Sequence, residues 1–155
     1  MPELPEVETI RGQLAPVVEG RRVLALEVLD PRWTRPLAPA ELTDALVGRR
    51  VERLERRGKY LIWCFSGDVY LAQHLRMTGA VLVDPRPEPA HTRVRMRLGG
   101  RDGDRGVRVA IDDPRRFGTG ELLLGPDALA AFLDGRLGPE PFAPEFTVDY
   151  LREVT

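Results

Sequence analysis

Between Thr92 and Leu98 the chain alternates without a break: Val94, Met96 and Leu98 fall on one face, Arg93, Arg95 and Arg97 on the other. Successive side chains of a strand point to opposite faces, so this segment predicts a half-buried strand with a basic outer face. A different period governs the amino end. There Leu4, Val7, Ile10 and Leu14 recur at helical spacing, Pro5 suits a first helical turn, and Pro16 and Gly20 close the segment. A helix over roughly residues 5–15 follows.

The remaining segments read mainly as short strands. Arg22–Leu29 and Val51–Arg57 predict strands, and Pro39–Val47 a short helix ending at Gly48. Lys59–Phe65 and Val69–Leu75 flank Ser66-Gly67-Asp68 as a hairpin. Ala80–Asp84, Val107–Ile111 and Glu121–Leu124 are further strands, and Pro126–Leu133 is a helix stopped by Gly135. Many short strands with few helices predict a mainly β (α+β) domain, a two-layer antiparallel β-sandwich flanked by helices. Residues 1–146 are read as that domain. A helix beginning in Thr147–Val154 and cut at Thr155 suggests the start of a further domain that this span lacks.

Composition changes this picture little. At 155 residues, 43% hydrophobic and 30% charged, the chain suits one globular domain with a real core. No apolar run approaches the ~20 residues of a bilayer helix, and the polar start is not a secretory signal, so a cytoplasmic location is the default. Cys64 is the only cysteine, which excludes an internal disulfide and a cysteine-rich zinc site. Set in Leu61-Ile62-Trp63-Cys64-Phe65, it reads as a core filler. A net charge of −1 argues against a protein basic throughout. Its cations are 22 arginines and one lysine, Lys59, whose compact ammonium a planar guanidinium does not mimic.

The chemistry begins at Met1-Pro2-Glu3-Leu4-Pro5-Glu6-Val7-Glu8. Removal of Met1 would leave Pro2 as a free secondary amine. An α-amino group titrates near ~7.7–8, so a useful fraction is neutral and nucleophilic at physiological pH, whereas lysine near ~10.4 is not. A secondary amine condensing with a sugar aldehyde gives an iminium with no N–H proton to lose, and its charge persists as an electron sink at any pH. The positive end of the helix dipole would favour ionised Glu3, Glu6 and Glu8 and disfavour a protonated amine. The same letters also serve simply to start a helix.

Three clusters lie farther along. Arg56-Arg57-Gly58-Lys59-Tyr60 feeds a basic turn into an apolar strand, and His74-Leu75-Arg76-Met77-Thr78-Gly79 leaves a methionine at the tip between two strands. Asp112-Asp113-Pro114-Arg115-Arg116-Phe117-Gly118 is a bounded loop presenting two arginines and an aromatic. Basic loops with an apolar wedge suit a protein that grips phosphates and replaces a base in the stack. Singly, Met77 would equally fill a core gap, Phe117 a core position, and the arginines a solvated surface.

The ordered set Pro-Glu-Leu-Pro-Glu-Val-Glu, Arg-Arg-Gly-Lys-Tyr-Leu, His-Leu-Arg-Met-Thr-Gly, Asp-Asp-Pro-Arg-Arg-Phe-Gly and Leu-Gly-Pro-Glu-Pro closely resembles the bacterial formamidopyrimidine-DNA glycosylase family, the 8-oxoguanine glycosylase/AP lyases. The resemblance runs over essentially the whole chain and covers only the amino-terminal β-sandwich domain. The helix–two-turn–helix and four-cysteine zinc-finger part of complete members, with its one structural zinc, is not matched, so no metal or other cofactor is expected in this span.

The resemblance implies base excision repair of oxidised purines, 8-oxoguanine and formamidopyrimidines, in double-stranded DNA, followed by β,δ-elimination at the abasic site. Pro2 is implied as the nucleophile at C1′, Glu3 as the acid on the ring oxygen, and Glu6 as a supporting carboxylate. Lys59 joins this catalytic set and, with His91 and Arg116, matches positions that hold phosphates around the flipped nucleotide. Met77, Arg115 and Phe117 match the trio that fills the void. Arg76 departs from the glycine of many relatives and adds charge beside the wedge. The implied protein is a monomer associated with the nucleoid.

Other readings stay open. An endonuclease VIII-like glycosylase for oxidised pyrimidines is the nearest, although Leu4 in place of glycine and the Met77/Arg115/Phe117 set favour the purine branch. Tautomerases also expose a proline after Met1, but their chains are much shorter. A non-catalytic module that binds damaged DNA would tolerate change at Pro2 and Glu3. This span alone is expected to be inactive and to bind DNA weakly. A chain that keeps Met1 is expected to form no iminium, because an acylated proline nitrogen has no lone pair for attack.

Overall fold

The computed structural model describes residues 4–75, 79–113 and 119–137. The elements are α1 (Leu4–Val18), β1 (Val23–Val28), a 3-10 turn at Pro31–Trp33, α2 (Pro39–Leu46), β2 (Val51–Arg57), β3 (Tyr60–Phe65), β4 (Val69–His74), β5 (Ala80–Val83), β6 (Thr92–Leu98), β7 (Val107–Asp112), β8 (Thr119–Leu124) and α3 (Pro126–Leu137). Their pairing makes two four-stranded antiparallel sheets, ordered β1-β6-β7-β5 and β2-β3-β4-β8.

The sheets face each other across one apolar core. Leu26, Val94, Met96, Leu98, Val109 and Ile111 from the first sheet pack with Leu54, Leu61, Trp63, Phe65, Val69 and Leu71 from the second. The first sheet leaves its other face to solvent, which is why β6 alternates buried apolar with outward Arg93, Arg95 and Arg97. The second sheet is covered on both sides. A second apolar cluster joins Ile62, Cys64, Tyr70 and Ala72 to Leu129, Phe132 and Leu133 of α3. The sequences of β3 and β4 therefore read as nearly unbroken apolar runs. Cys64 is 2% exposed in this layer, and burial pushes its thiol up to about 12, as befits a filler.

Two helices outrun their expected stops. α1 continues through Pro16 to Val18. A proline there lacks the N–H for the carbonyl four residues back and its ring crowds that carbonyl, a cost softened because both Pro16 and Gly12 lie on the exposed side near the end of the helix. α3 likewise passes Gly135 to Leu137. Glycine within a helix costs about 1 kcal/mol relative to alanine, and the Leu129/Phe132/Leu133 face against the second sheet outweighs it. The helix expected from Thr147 lies outside the described residues.

Candidate functional site

α1 is tied to β2 along its whole length. At its carboxyl end Gly20 donates its N–H to the Val51 carbonyl at 2.7 Å, and the Leu54 N–H donates to Glu19 Oε2 at 2.9 Å. At its amino end Arg56 Nε donates to Glu8 Oε1 at 3.2 Å. The helix thus runs antiparallel to β2, and its amino end reaches the turn between β2 and β3. Arg56 continues the link by donating from Nη1 to the Gly58 carbonyl at 3.0 Å, one residue before Lys59. Gly58 adopts φ 58°, a left-handed conformation glycine enters at little cost. Glu8 and Arg56 hold the start of α1 beside the only lysine of the chain.

Glu8 also accepts from Arg11, whose Nη2 lies 2.6 Å from Oε2. The Arg11 hydrogen bond above all, supplemented by Arg56 and opposed by partial burial, holds this carboxyl below its ordinary range. A depressed folded value means the contribution is complete above the unfolded pKa of ~4.3 and fades as pH falls through the folded one. Glu8→Gln is expected to lower the melting temperature at pH 7, and the gap from the parent should close as the medium is acidified below pH ~4. A gap independent of pH, measured by circular dichroism melts, would contradict this role of the charge.

The other ends of strands converge at the same edge of the sandwich. β4 ends at His74, opposite Tyr60 at the start of β3 and Thr119 at the start of β8. The Tyr60 and His74 rings meet edge to face at 4.8 Å, and Tyr60 meets Phe132 at 5.2 Å. Gly79 N–H donates to the Leu75 carbonyl at 3.0 Å, closing the segment that carries Met77. A Cβ on Gly79 would lie 2.3 Å from that oxygen, which gives the final glycine of the His-Leu-Arg-Met-Thr-Gly motif a steric reason.

β7 ends beside the start of β6. The Asp113 N–H donates to the His91 carbonyl at 3.0 Å, and Arg93 Nε donates to the Asp113 carbonyl at 2.9 Å. Asp113, the first residue after β7 and 1% exposed, thereby ties the His91 backbone to the end of that strand. On the far flank, the Trp33 ring lies over Gly120 so closely that a Cβ there would come within 2.1 Å of it.

Of the residues singled out from the sequence, Lys59 is half-buried in the β2–β3 turn, Glu6 is exposed in the first turn of α1, and His91 is exposed just before β6. Pro2, Glu3, Met77, Arg115, Arg116 and Phe117 lie outside the described residues. The described neighbours of all six sit at this one end: register sets the β2–β3 turn beside the end of β4, the start of β5 pairs with the end of β7 through Ala80 and Asp112, and the Glu8–Arg56 bond brings in the start of α1. Glu8, Arg56 and Asp113 fall inside sequence motifs, but the Glu8–Arg56 link and the Asp113–His91 link, like the Trp33–Gly120 pair, join segments distant in sequence and are not legible from the motifs.

Lys59 and Arg93, both partly exposed, bring positive charge to this edge that suits phosphates, while Arg56 is paired with Glu8 and Arg57 is buried. Among the described residues no group of three or more His, Cys, Asp or Glu side chains is arranged to hold a metal. Cys64, the sole cysteine of the sequence, is buried in the α3 layer. No helix among the described residues is long and apolar enough to cross a membrane.

Comparison with known proteins gives this edge a context. Residues 1–120 match the family model described as the formamidopyrimidine-DNA glycosylase N-terminal domain. The formamidopyrimidine-DNA glycosylase of Bacillus licheniformis is 40% identical over 157 aligned positions, covering 99% of this chain and 54% of the relative. The Lactococcus lactis protein, solved in complex with DNA containing FAPY-dG, superposes with a TM-score of 0.78 at 33% identity, covering 91% of this chain and 51% of that one. The same protein in complex with DNA containing an oxidised pyrimidine gives 0.78 at 33% identity, covering 92% and 52%. The chain spans about half the length of the curated relative and of the solved chains it matches. With the family model covering most of its length and the sandwich superposing on these structures, the chain belongs to the formamidopyrimidine-DNA glycosylase family, of which it carries the N-terminal domain.

Proposed function

We propose that this chain is the catalytic half of a base excision DNA glycosylase and AP lyase acting on oxidised purines through Pro2. The observation that carries the reading is the Glu8–Arg56–Gly58 link, which sets the amino end of α1 beside Lys59 at the edge where the loop-bearing strand ends meet. In this reading the Pro2 nitrogen forms a bond to C1′ of the damaged nucleotide while the C1′–base bond breaks and the base departs. Glu3 gives a proton to the ring oxygen as the C1′–O bond opens, leaving the iminium. The iminium draws electrons from the 2′ carbon, whose proton is then lost, and successive β- and δ-elimination expel the two phosphates.

The base must first leave the duplex. Met77 and Phe117 would replace lost stacking, Arg115 would hydrogen-bond the orphaned partner base, and Lys59, His91 and Arg116 would hold phosphates without reading sequence. Glu6 stands as a supporting carboxylate. A second reading, removal of oxidised pyrimidines, is favoured by the Lactococcus lactis complex with an oxidised pyrimidine.

Borohydride trapping on an abasic duplex tests the shared chemistry. A chain begun at Pro2 and completed with the carboxy-terminal half of the Bacillus licheniformis relative is expected to yield a DNA adduct on Pro2, and the same chain retaining Met1 none. An adduct on Lys59 alone, or no adduct where the intact relative gives one, would overturn the proposal.

A further inference from the structure

The open face of the first sheet carries a second basic surface, away from the candidate site. Across this face the cross-strand registers align Ala25 of β1 with Arg97 of β6 and Arg108 of β7. These positions lie toward the β6–β7 connection at residues 99–106, whereas His91 and Asp113 lie at the other end of the same strands. Arg97 and Arg108 are both exposed and stand directly opposite each other, an arrangement in which like charges repel. Arg105 and Arg86 line the same groove.

The nearby carboxylates are already engaged. Glu27 and Glu88 both pair with Arg95 at 2.7 Å, Asp104 pairs with Arg21 at 2.6 Å, and Asp102 lies 3.7 Å from Arg101. Asp84 accepts from the backbone N–H of Arg108 at 2.8 Å. Among the described residues, no carboxylate forms an ion pair with Arg86, Arg97, Arg105 or Arg108. Four guanidinium groups therefore face solvent in a chain whose net charge is −1.

The groove is not merely charged. A register shift between Val23 and Ala25 leaves two successive residues of β1 outward, so that Leu24 is 46% exposed next to Ala25. Adjoining the groove and sharing Arg97 and Arg108 with it, a mainly apolar depression opens over Ala25, flanked also by Arg95 and by Glu27, whose carboxylate is paired with Arg95. A nucleic-acid backbone would satisfy the arginines and leave this depression empty. An acidic peptide with an apolar side chain satisfies both, by bidentate carboxylate–guanidinium pairs and by burial of the side chain over Ala25.

We propose that this face docks an acidic segment of a partner protein, its carboxylates on Arg97 and Arg108 and an apolar side chain in the depression over Ala25. The surface is independent of the DNA reading, since it lies at the opposite end of the strands.

Fluorescence anisotropy with a labelled aspartate-rich peptide bearing one central leucine tests the proposal. That peptide is expected to bind about tenfold more tightly than the same peptide with serine for leucine. Arg97→Gln combined with Arg108→Gln should weaken binding by about tenfold or more. Ala25→Glu, which fills the depression and places a carboxylate opposite Arg97, should weaken it comparably without lowering the melting temperature. Equal affinity for the two peptides, or indifference to both variants, overturns the proposal. So does displacement of the peptide by undamaged duplex DNA in a manner that depends on Arg97 and Arg108, which would assign the face to nucleic acid.

Discussion

Gly120→Ala is expected to lower the melting temperature by about 5–10 °C, a large effect for one methyl group. The added Cβ would stand 2.1 Å from Cη2 and Cζ3 of Trp33 and 2.8 Å from Cζ2. These are atoms of a rigid ring that is itself 3% exposed, so no flexible side-chain end can swing aside. Either the ring leaves its well or β8 retreats from the Pro31–Trp33 turn. Overpacking of this kind costs about 2–3 kcal/mol, and in a domain of this size each kcal/mol moves the midpoint by about 2–4 °C. In a Trp33→Leu background the alanine should cost much less, because the two positions are in contact and their effects couple. Equal costs in both backgrounds would show that the ring does not set the limit at Gly120.

That contact marks where the sequence stops being informative. The strict alternation of Thr92–Leu98 predicts a half-open sheet, and the first sheet carries it with Arg93, Arg95 and Arg97 outward. Val51–Arg57 is likewise a strand with the bounds its pattern implies. The Pro31–Trp33 turn has no such pattern. It is held by the Asp30 side chain, which accepts from the Arg32 N–H at 3.1 Å, and by the Trp33–Gly120 packing across nearly ninety residues of chain. Pro16 and Gly135 mislead for the opposite reason. They are locally unfavourable residues whose cost is small beside the tertiary burial of Val7, Leu14 and Val18 in one helix and Leu129 and Leu133 in the other.

The candidate site divides along the same line. Side chains that would meet a ligand come mostly in short motifs, as Lys59 does in Arg56-Arg57-Gly58-Lys59-Tyr60, whereas His91 stands outside them and is tied by its backbone carbonyl to the Asp113 N–H. The groups that hold the edge together are single residues in ordinary surroundings. Glu8 is one of several glutamates at the start of α1, and only its contacts with Arg11 and Arg56 distinguish it from Glu6. Two of the arginines on β6 have opposite fates that no pattern foretells. Arg95 is neutralised by Glu27 and Glu88, while Arg97, two residues on, faces Arg108.

Pro2→Ala, in a completed chain begun at residue 2, should reduce cleavage of abasic DNA by about a hundredfold at neutral pH, and it should change the shape of the pH profile. The prediction rests on the proposed iminium. Alanine keeps an amino-terminal amine with an unperturbed pKa near ~7.7–8, so attack on the sugar remains possible. Its adduct is a primary-amine imine, which can lose its N–H proton and with it the charge that draws electrons from the 2′ carbon. The proline adduct has no such proton. A hundredfold corresponds to roughly 3 kcal/mol of transition-state stabilisation, in the range expected when a charge is lost at the reacting centre. As pH rises, the parent rate should climb while the amine becomes neutral and then level off. The rate of the Pro2→Ala variant should climb and then fall, because the imine deprotonates on the alkaline side. Single-turnover cleavage of an abasic duplex from pH ~6 to ~10 separates the two shapes. Parallel profiles with equal rates would mean that the secondary amine of Pro2 is not the electron sink.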